Sequence, residues 1–273
     1  MRHLVTFSGA GYEEPTGKIV EAARAQGLAL HVYDDAWFER HPFRKINRWL
    51  WDHPGQLFPN GHYAKRGYGW SAWKSVIIAD AIERFLRPGD VVAYTDGDCY
   101  PIADLSPVYE TAEREGAMFF RASAHTNRAW CKRDCYLVMG QDDPRYYDAP
   151  AGCARFMAFR KGDYRSAQLL REWMTYGVNP LAQTFDPSRL GLPEIDGFVE
   201  HRTEQAILTL LNLKHGYTMY REACEAGNGF IGQPGNPGDY PQLFVQQSCG
   251  ANPHPMTGSE YRNVPLPEGS WGS

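Results

Sequence analysis

Apolar runs of strand length alternate along this chain with segments that have helical spacing. His3 to Phe7 is an apolar run, Glu14 to Gln26 has helical periodicity, and Leu28 to Tyr33 is apolar again. The pattern returns where a helical segment, Trp70 to Phe85, precedes an apolar run from Val91 to Thr95. Alternation of this kind predicts βαβ units, and therefore an α/β fold built on a central sheet.

Later segments extend this prediction over a single domain. They comprise two further strands, Ala117 to Arg121 and Arg155 to Arg160, and three helices, Leu105 to Glu115, Tyr164 to Tyr176 and Glu200 to His215. Trp37 to Tyr68 shows no clean period, which predicts an irregular excursion with short helices. From Glu225 onward glycine, proline and asparagine dominate. We therefore expect one domain over residues 1–225, with residues 226–273 as a tail or lid packed on it.

Charge and composition exclude several classes of protein. The net charge of −4 arises from interspersed acids and bases, which argues against nucleic acid as the partner. No stretch of about 18 apolar residues is present and the first apolar run soon reaches a turn, so we expect a soluble cytoplasmic protein without an integral membrane segment. The six cysteines have neither C-x-x-C spacing nor the density of a disulfide scaffold, which favours reduced thiols.

Two carboxylates directly follow the apolar run that ends at Thr95. Asp96-Gly97-Asp98 lies where this strand ends, and in open α/β sheets that edge binds ligands. Mg²⁺ and Mn²⁺ take oxygen ligands, and they bind one or two carboxylates together with substrate phosphates. Turns also collect aspartates for their own hydrogen bonds, so the pair alone is an ambiguous signal. Its position after a buried strand favours a metal site that a nucleotide diphosphate completes.

Residues 65–74 combine basic and aromatic side chains, a mixture that suits anions and planar rings. The basic residues are Lys65, Arg66 and Lys74, and the aromatic ones are Tyr68, Trp70 and Trp73. The letters from Gly67 to Ala72 match a dinucleotide fingerprint, but no apolar strand precedes them. Tryptophans at the start of a helix also enter cores, and for Trp73 that interpretation is at least as strong. Lys74 is the best of the basic residues for a phosphate contact.

A second polar cluster begins the helix after Glu200. It reads His201-Arg202-Thr203-Glu204-Gln205, and Glu194, Asp196 and Glu200 lie just upstream. Acids at this place also cap helices and interact with the helix dipole. The Glu204-Gln205 pair is nevertheless suited to hold sugar hydroxyls or to stabilise developing positive charge, if the helix end faces the ligand edge.

Taken together, five motifs occur in a characteristic order. They are the opening βα unit, Gly-Tyr-Gly-Trp-x-x-Trp-Lys, Gly-Asp-x-x-x-Tyr-x-Asp-x-Asp, a Phe-Met-x-Phe-Arg-Lys strand, and His-Arg-x-Glu-Gln-x-Ile-Leu. Over about residues 1 to 220, this order resembles bacterial polysaccharide glycosyltransferases of the GT-A fold. It is more distantly similar to the glycogenin-like and lipopolysaccharide galactosyltransferase family. The resemblance implies a Rossmann-like domain with a mixed, mainly parallel central sheet flanked by helices.

The resemblance also implies roles for individual residues. For the donor it implies metal and sugar contacts by Asp96, Gly97 and Asp98, a contact by Lys74, and a nucleobase site at Thr6 and Phe7 with Asp34 or Asp35 nearby. Glu204 and Gln205 match the acidic-Gln pair beside the reacting sugar, and we place Trp70, Arg155 and His201 on the acceptor side. His254 is the candidate third metal ligand, although the His-x-x-Gly-x-x-Lys-Pro element that supplies this ligand in the glycogenin-like group is missing.

The sequence therefore predicts transfer of a hexose from a nucleoside diphosphate, UDP above all, to a hydroxyl acceptor such as a glycan. Mn²⁺ or Mg²⁺ would offset charge on the departing diphosphate. If the reaction inverts, Glu204 or Asp196 would deprotonate the acceptor, whereas retention needs no base there. One alternative is a nucleotidyltransferase, although the loop after the first strand lacks basic residues. Another is a carbohydrate-binding protein that depends on Trp70 and Tyr68 and not on the aspartates.

The tail carries a separate hypothesis about closure. Its composition forbids a long helix, and we expect Gly227 to Gly258 to fold over the bound donor and exclude water. Gln247, Asn252 and His254 would then reach the diphosphate or the sugar. The alternative is a static tail that only covers apolar surface.

Overall fold

The structure is a computed structural model, and it describes residues 1–53, 56–57, 63–64 and 68–247. The strands are β1 (Arg2–Ser8), β2 (Ala29–Asp34), β3 (Gln56–Leu57), β4 (Tyr63–Ala64), β5 (Val91–Thr95), β6 (Cys99–Pro101), β7 (Ala117–Thr126), β8 (Pro150–Arg160), β9 (Met219–Tyr220) and β10 (Phe244–Gln246). The helices are α1 (Glu13–Ala25), α2 (Asp35–Arg40), α3 (Pro42–Ile46), α4 (Trp49–Asp52), α5 (Trp73–Phe85), α6 (Ser106–Glu115), α7 (Asn127–Trp130), α8 (Arg133–Val138), α9 (Pro144–Tyr147), α10 (Tyr164–Gly177), α11 (Pro180–Gln183) and α12 (Thr203–Lys214). Two 3₁₀ segments, Tyr68–Ser71 and Glu225–Phe230, complete the described elements.

A six-stranded sheet in the order β2-β1-β5-β8-β7-β9 forms the centre of the molecule. β1 is parallel to β2 and β5, and β9 is parallel to β7. β8 alone runs antiparallel to its two neighbours, β5 and β7. The other five strands therefore share one direction, and the predicted α/β fold with a mixed, mainly parallel sheet is confirmed.

Helices cover both faces of the sheet because successive strand residues point to opposite sides. Val5 and Phe119 belong to a core that includes side chains of α5, α10 and α12. Their neighbours Leu4 and Phe120 belong to a second core with side chains of α1 and α6. No helix among the described residues has the length and apolar character needed to cross a membrane.

Two strands are longer than the sequence predicted. β8 begins at Pro150 and not at Arg155, and its first residues are small ones with weak strand propensity. A contact with α12 stabilises their extended conformation, because Gly152 donates its backbone N–H to the hydroxyl of Thr209 at 2.8 Å. β7 likewise continues to Thr126, so its carboxyl end reaches the same edge as the Asp96 turn.

The predicted helix at Trp70 begins later, at Trp73, because the preceding residues adopt left-handed conformations. Gly69, Trp70 and Ser71 have φ angles of 58°, 55° and 57°. The side chain of Gln183 donates a hydrogen bond to the carbonyl of Trp70 at 2.6 Å and so fixes this turn. Trp73 itself enters the core, with its ring centroid 4.4 Å from that of Phe7.

The described part of the tail is built around one buried arginine. The Arg221 guanidinium donates hydrogen bonds to backbone carbonyls of residues 222, 227, 238 and 240. Beyond this cage, β10 pairs antiparallel with β6, the short strand that follows Asp98. The tail up to Gln247 therefore lies directly beside the Asp96-Gly97-Asp98 turn, called the acidic turn below. Closure of residues 227–258 over a bound donor stays a prediction.

Candidate functional site

The Asp96-Gly97-Asp98 turn is held at the carboxyl end of β5 by backbone contacts. The N–H of Asp96 donates to the carbonyl of Arg155 on β8 at 2.8 Å, and the N–H of Cys99 donates to the carbonyl of Asp96 at 2.9 Å. A Cβ atom at Gly97 would lie well under 3.0 Å from the carbonyl oxygen of Phe7. Glycine is therefore required where the turn meets the end of β1, whatever ligand it binds.

Three elements bring side chains to Asp96. Lys74 in the first turn of α5 places its Nζ 2.8 Å from Oδ1 of Asp96 and 3.2 Å from Oε1 of Glu204 in the first turn of α12. The same ammonium donates to the carbonyl of Ala154 at 3.1 Å, and the hydroxyl of Tyr94 donates to Asp96. Lys74 is 5% exposed. One buried cation therefore joins the two carboxylates that the sequence assigned to the donor and to catalysis.

The charge of Lys74 is stabilised at this place. Burial alone would lower its pKa, but the neighbouring carboxylates of Asp96 and Glu204 outweigh burial, and the pKa is raised. The sequence predicted a phosphate contact for Lys74. In the structure its ammonium faces three protein acceptors, so a direct phosphate contact requires it to leave one of them.

Asp98 lies beside this cluster. Burial, together with the negative charge of Asp96, raises the pKa of Asp98 to about 6, although Lys74 and Arg155 act in the opposite direction. Its backbone carbonyl accepts a hydrogen bond from the N–H of Gln247 at 2.7 Å. The Gln247 side chain accepts from Lys18 at 2.7 Å, so this residue connects the tail to both α1 and the acidic turn.

The two aspartates fit one particular mode of metal binding. Within residues 1–53, 56–57, 63–64 and 68–247, no three His, Cys, Asp or Glu side chains form a group that could hold a metal ion. Mg²⁺ characteristically binds one or two carboxylates and completes its shell with water and substrate phosphates. The carboxylates of Asp96 and Asp98 match that donor set, and burial makes the charged form of Asp98 less favourable when no cation is near. The candidate third ligand His254 lies outside the described residues.

Glu204 follows a strained residue. Thr203 has a φ of 45° and is buried, and left-handed backbone is exceptional for a β-branched side chain. Such outliers cost about 1–3 kcal/mol and cluster at functional sites. The Thr203 hydroxyl donates to the Glu204 carboxylate, which is 12% exposed. Gln205 lies next to it in the first turn of α12 and is half-buried.

The predicted nucleobase site is only partly accessible. Thr6 is 0% exposed and Phe7 packs against Trp73 in the core, so their side chains are closed to a ligand, and a nucleobase site at this end of β1 stays a prediction. Asp34 is exposed and caps α2 by accepting from the N–H of Trp37 at 2.7 Å. Asp35 is half-buried near the β1–α1 loop, and burial raises its pKa despite a hydrogen bond from the Ala10 backbone. Asp34 and Asp35 are therefore both accessible polar groups at this end of the sheet edge.

Two predicted acceptor residues have structural contacts instead. Trp70 is 2% exposed and packs against Phe185, with the ring centroids 5.0 Å apart. His201 is buried, accepts from the backbone N–H of Lys132 at 3.2 Å and contacts the carbonyl of Ala182 at 2.7 Å. Both side chains are closed to a ligand in this conformation, and an acceptor role for either stays a prediction. The burial of Trp70 also weakens the alternative of a carbohydrate-binding protein, which depended on Trp70 and Tyr68.

Arg155, the third predicted acceptor residue, does lie at the site. Its guanidinium contacts the buried carboxylate of Glu222 at 2.6 Å and donates to the side chain of Gln246 on β10. Its backbone carbonyl holds the N–H of Asp96, as described above. Sequence reasoning missed both residues, because Glu222 follows the last predicted helix, Gln246 lies in the Gly- and Pro-rich tail, and neither segment has a periodic signal.

Asp196, the second candidate base, is exposed, and its backbone carbonyl accepts from Arg128 at 3.4 Å. Its role as a base stays a prediction. The sequence candidates Lys65, Arg66, Asn252 and His254 fall outside the described residues.

No protein-family model matches this chain, and no curated protein matches it. The apo form of mouse xyloside xylosyltransferase 1 is similar, with a TM-score of 0.46 and 12% identity over 91% of this chain and 98% of that chain. The bifunctional glycosyltransferase WbbM has a TM-score of 0.41 and 12% identity over 77% of this chain and 37% of its own. GlyE from Streptococcus pneumoniae TIGR4, in its apo form, has a TM-score of 0.33 and 14% identity over 79% and 44%.

Proposed function

We propose that this chain is a metal-dependent glycosyltransferase that moves a hexose from a UDP-sugar to a hydroxyl of a glycan acceptor. The observation that carries the proposal is the convergence of Asp96, Asp98 and Glu204 at the carboxyl edge of the sheet. Lys74 joins two of these carboxylates within 3.2 Å of one ammonium. Strain at Thr203 and the packing of β10 beside the turn support a site that is preorganised.

Asp98, together with Asp96, is the proposed holder of Mn²⁺ or Mg²⁺. When bound, such a cation neutralises charge on a departing diphosphate. Asp96 and Asp98 would orient the diphosphate at the sheet edge, and Asp35 would lie on the nucleobase side near β1 and β2. Glu204 is a carboxylate beside an ammonium, which suits it to stabilise positive charge on the reacting sugar. Of the two candidate bases, Glu204 is the one that Lys74 joins to Asp96.

The test is a screen of nucleotide sugars for metal-dependent release of the nucleoside diphosphate. The wild-type protein and Asp98→Asn would be compared, with Asp104→Asn as the matched control because Asp104 is exposed and accepts hydrogen bonds from Ser106. We expect Asp98→Asn to lose turnover and the control to keep it. Full turnover in EDTA, or wild-type turnover in Asp98→Asn, would contradict the metal role. If the wild type shows no turnover and no calorimetric binding of UDP with Mn²⁺, the proposal as a whole is contradicted.

A further inference from the structure

Tyr94 lies on β5 two residues before Asp96, and its residue type alone suggests no role at the site. Side chains two residues apart on a strand project toward the same face, so Tyr94 points the same way as the residue that begins the acidic turn. Its backbone is held from both sides, because Tyr94 pairs with Val5 on β1 and with Met157 on β8. The Tyr94 side chain therefore starts from a fixed position in the centre of the sheet.

The phenol of Tyr94 combines a buried ring with one polar contact. The residue is 1% exposed and belongs to the core that includes side chains of α5. A buried hydroxyl is costly unless it forms a hydrogen bond, whereas phenylalanine would fill nearly the same volume without a polar atom. The Tyr94 hydroxyl contacts Oδ1 of Asp96. An ionised carboxylate only accepts hydrogen bonds, so the hydroxyl is the donor.

The two oxygens of the Asp96 carboxylate differ in their contacts. Oδ1 accepts from the Tyr94 hydroxyl and lies 2.8 Å from Nζ of Lys74. Oδ2 lies 3.1 Å from the same Nζ, and among the described residues this is its one hydrogen bond. A carboxylate oxygen has about two lone-pair positions, so those of Oδ1 are filled and one on Oδ2 is left. Oδ2 is therefore the oxygen with room for a cation.

Lys74 does not create this difference by itself. Its ammonium contacts both oxygens of Asp96, and it is shared with Glu204 at 3.2 Å and with the carbonyl of Ala154 at 3.1 Å. An ammonium is a compact charge on a flexible stem, so it imposes little direction on a carboxylate. The hydroxyl of Tyr94 is carried by a rigid ring and reaches Oδ1 alone. The Tyr94 contact is thus the one that distinguishes Oδ1 from Oδ2.

We infer that Tyr94 is a positioning residue for the proposed divalent cation, because its hydroxyl holds Oδ1 of Asp96 and so leaves Oδ2 as the cation ligand. Ligating carboxylates in metal sites are commonly held by hydrogen bonds, and loss of such a partner typically lowers metal affinity by about 10–100-fold. Tyr94 is buried, so it acts through Asp96 and not on the donor. The inference rests on the proposed function, since it requires the metal site of Asp96 and Asp98.

The test compares Tyr94→Phe with Tyr109→Phe. Tyr109 is also buried, and it donates to the backbone carbonyl of His3 at 2.8 Å in the second core. Each substitution removes one buried hydroxyl and keeps the ring, so both variants should fold and lose similar amounts of stability in urea. Mn²⁺ binding in the presence of saturating UDP would be measured from the paramagnetic resonance signal of the free ion. We expect about tenfold weaker binding in Tyr94→Phe and the wild-type affinity in Tyr109→Phe.

Calorimetry of UDP binding separates positioning from general damage to the site. With Mn²⁺ present, UDP should bind Tyr94→Phe less tightly than the wild type, whereas in EDTA the two proteins should behave alike. Wild-type Mn²⁺ affinity in Tyr94→Phe, an equal loss in Tyr109→Phe, or weaker UDP binding by Tyr94→Phe in EDTA would each overturn the positioning role and leave the proposed function standing. If the wild type itself binds no Mn²⁺ with UDP, then the metal role in the proposed function fails, and the inference fails with it.

Discussion

Replacing Lys74 with methionine tests the central ion cluster most directly. The substitution keeps the length of the apolar stem and removes the ammonium that lies 2.8 Å from Asp96 and 3.2 Å from Glu204. Two carboxylates with side-chain exposures of only 21% and 12% then face each other without compensation. Removal of one partner from a buried ion pair typically costs about 3–5 kcal/mol. Because Asp96 is partly hydrated, we expect about 3 kcal/mol.

Urea unfolding followed by tryptophan fluorescence would measure this loss. For a slope of about 3 kcal/mol per molar urea, the midpoint should fall by about 1 M. Lys214→Met is the matched control, because Lys214 lies at the other end of α12 and pairs with Glu172 at 2.8 Å while 39% exposed. An exposed pair of this kind should contribute less than about 1 kcal/mol.

Two further results follow from the same geometry. Adding Glu204→Gln to Lys74→Met removes one of the uncompensated carboxylates, so the double variant should be more stable than Lys74→Met alone. Mn²⁺ should raise the melting temperature of Lys74→Met more than that of the wild type, because the cation can replace the missing positive charge. If Lys74→Met has the wild-type midpoint, or if Glu204→Gln only adds to the loss, then the ammonium does not stabilise the two carboxylates and our reasoning fails.

Three other perturbations are predicted. Gly97→Ala should lower stability by about 1–3 kcal/mol and weaken UDP binding, because its Cβ would collide with the carbonyl of Phe7. The control Gly17→Ala in α1, where nothing lies within 4 Å of the added Cβ, should be neutral or stabilising. Equal urea-unfolding midpoints for the two variants would refute the clash. The pKa of His31 is lowered to about 4 by burial and by His3, so the unfolded chain binds this proton first as pH falls. Stability should therefore decline between about pH 6.5 and 4 by up to about 3 kcal/mol, and a His31→Gln variant with the same decline in its unfolding curves would exclude His31 as the cause. Thr203→Gly should relieve backbone strain yet reduce turnover, and calorimetry that shows lower stability together with unchanged turnover would contradict a functional origin of the strain.

The location of the Asp96-Gly97-Asp98 turn follows from the sequence alone. A five-residue apolar run from Val91 to Thr95, bounded by Pro88-Gly89 and by this turn, favours a buried strand, and residues that follow a strand emerge at its carboxyl end. The strand is observed with those bounds. Helical periodicity likewise predicted all of α5 and α12, although both helices begin later than predicted, because a period reports which face of an element is buried. What a period does not report is the element against which that face packs.

Which polar side chains meet depends on tertiary packing. Lys74 reaches Glu204 because the first turns of α5 and α12 pack at the same sheet edge, and no local pattern specifies that distance. Trp70 and His201 have residue types suited to a glycan, but the left-handed turn and the contacts with Phe185 and Lys132 bury them. Their fate depends on long-range packing, which sums many small contacts from distant parts of the chain. Residue type limits the chemistry that a side chain can perform, and packing determines whether a ligand can reach it.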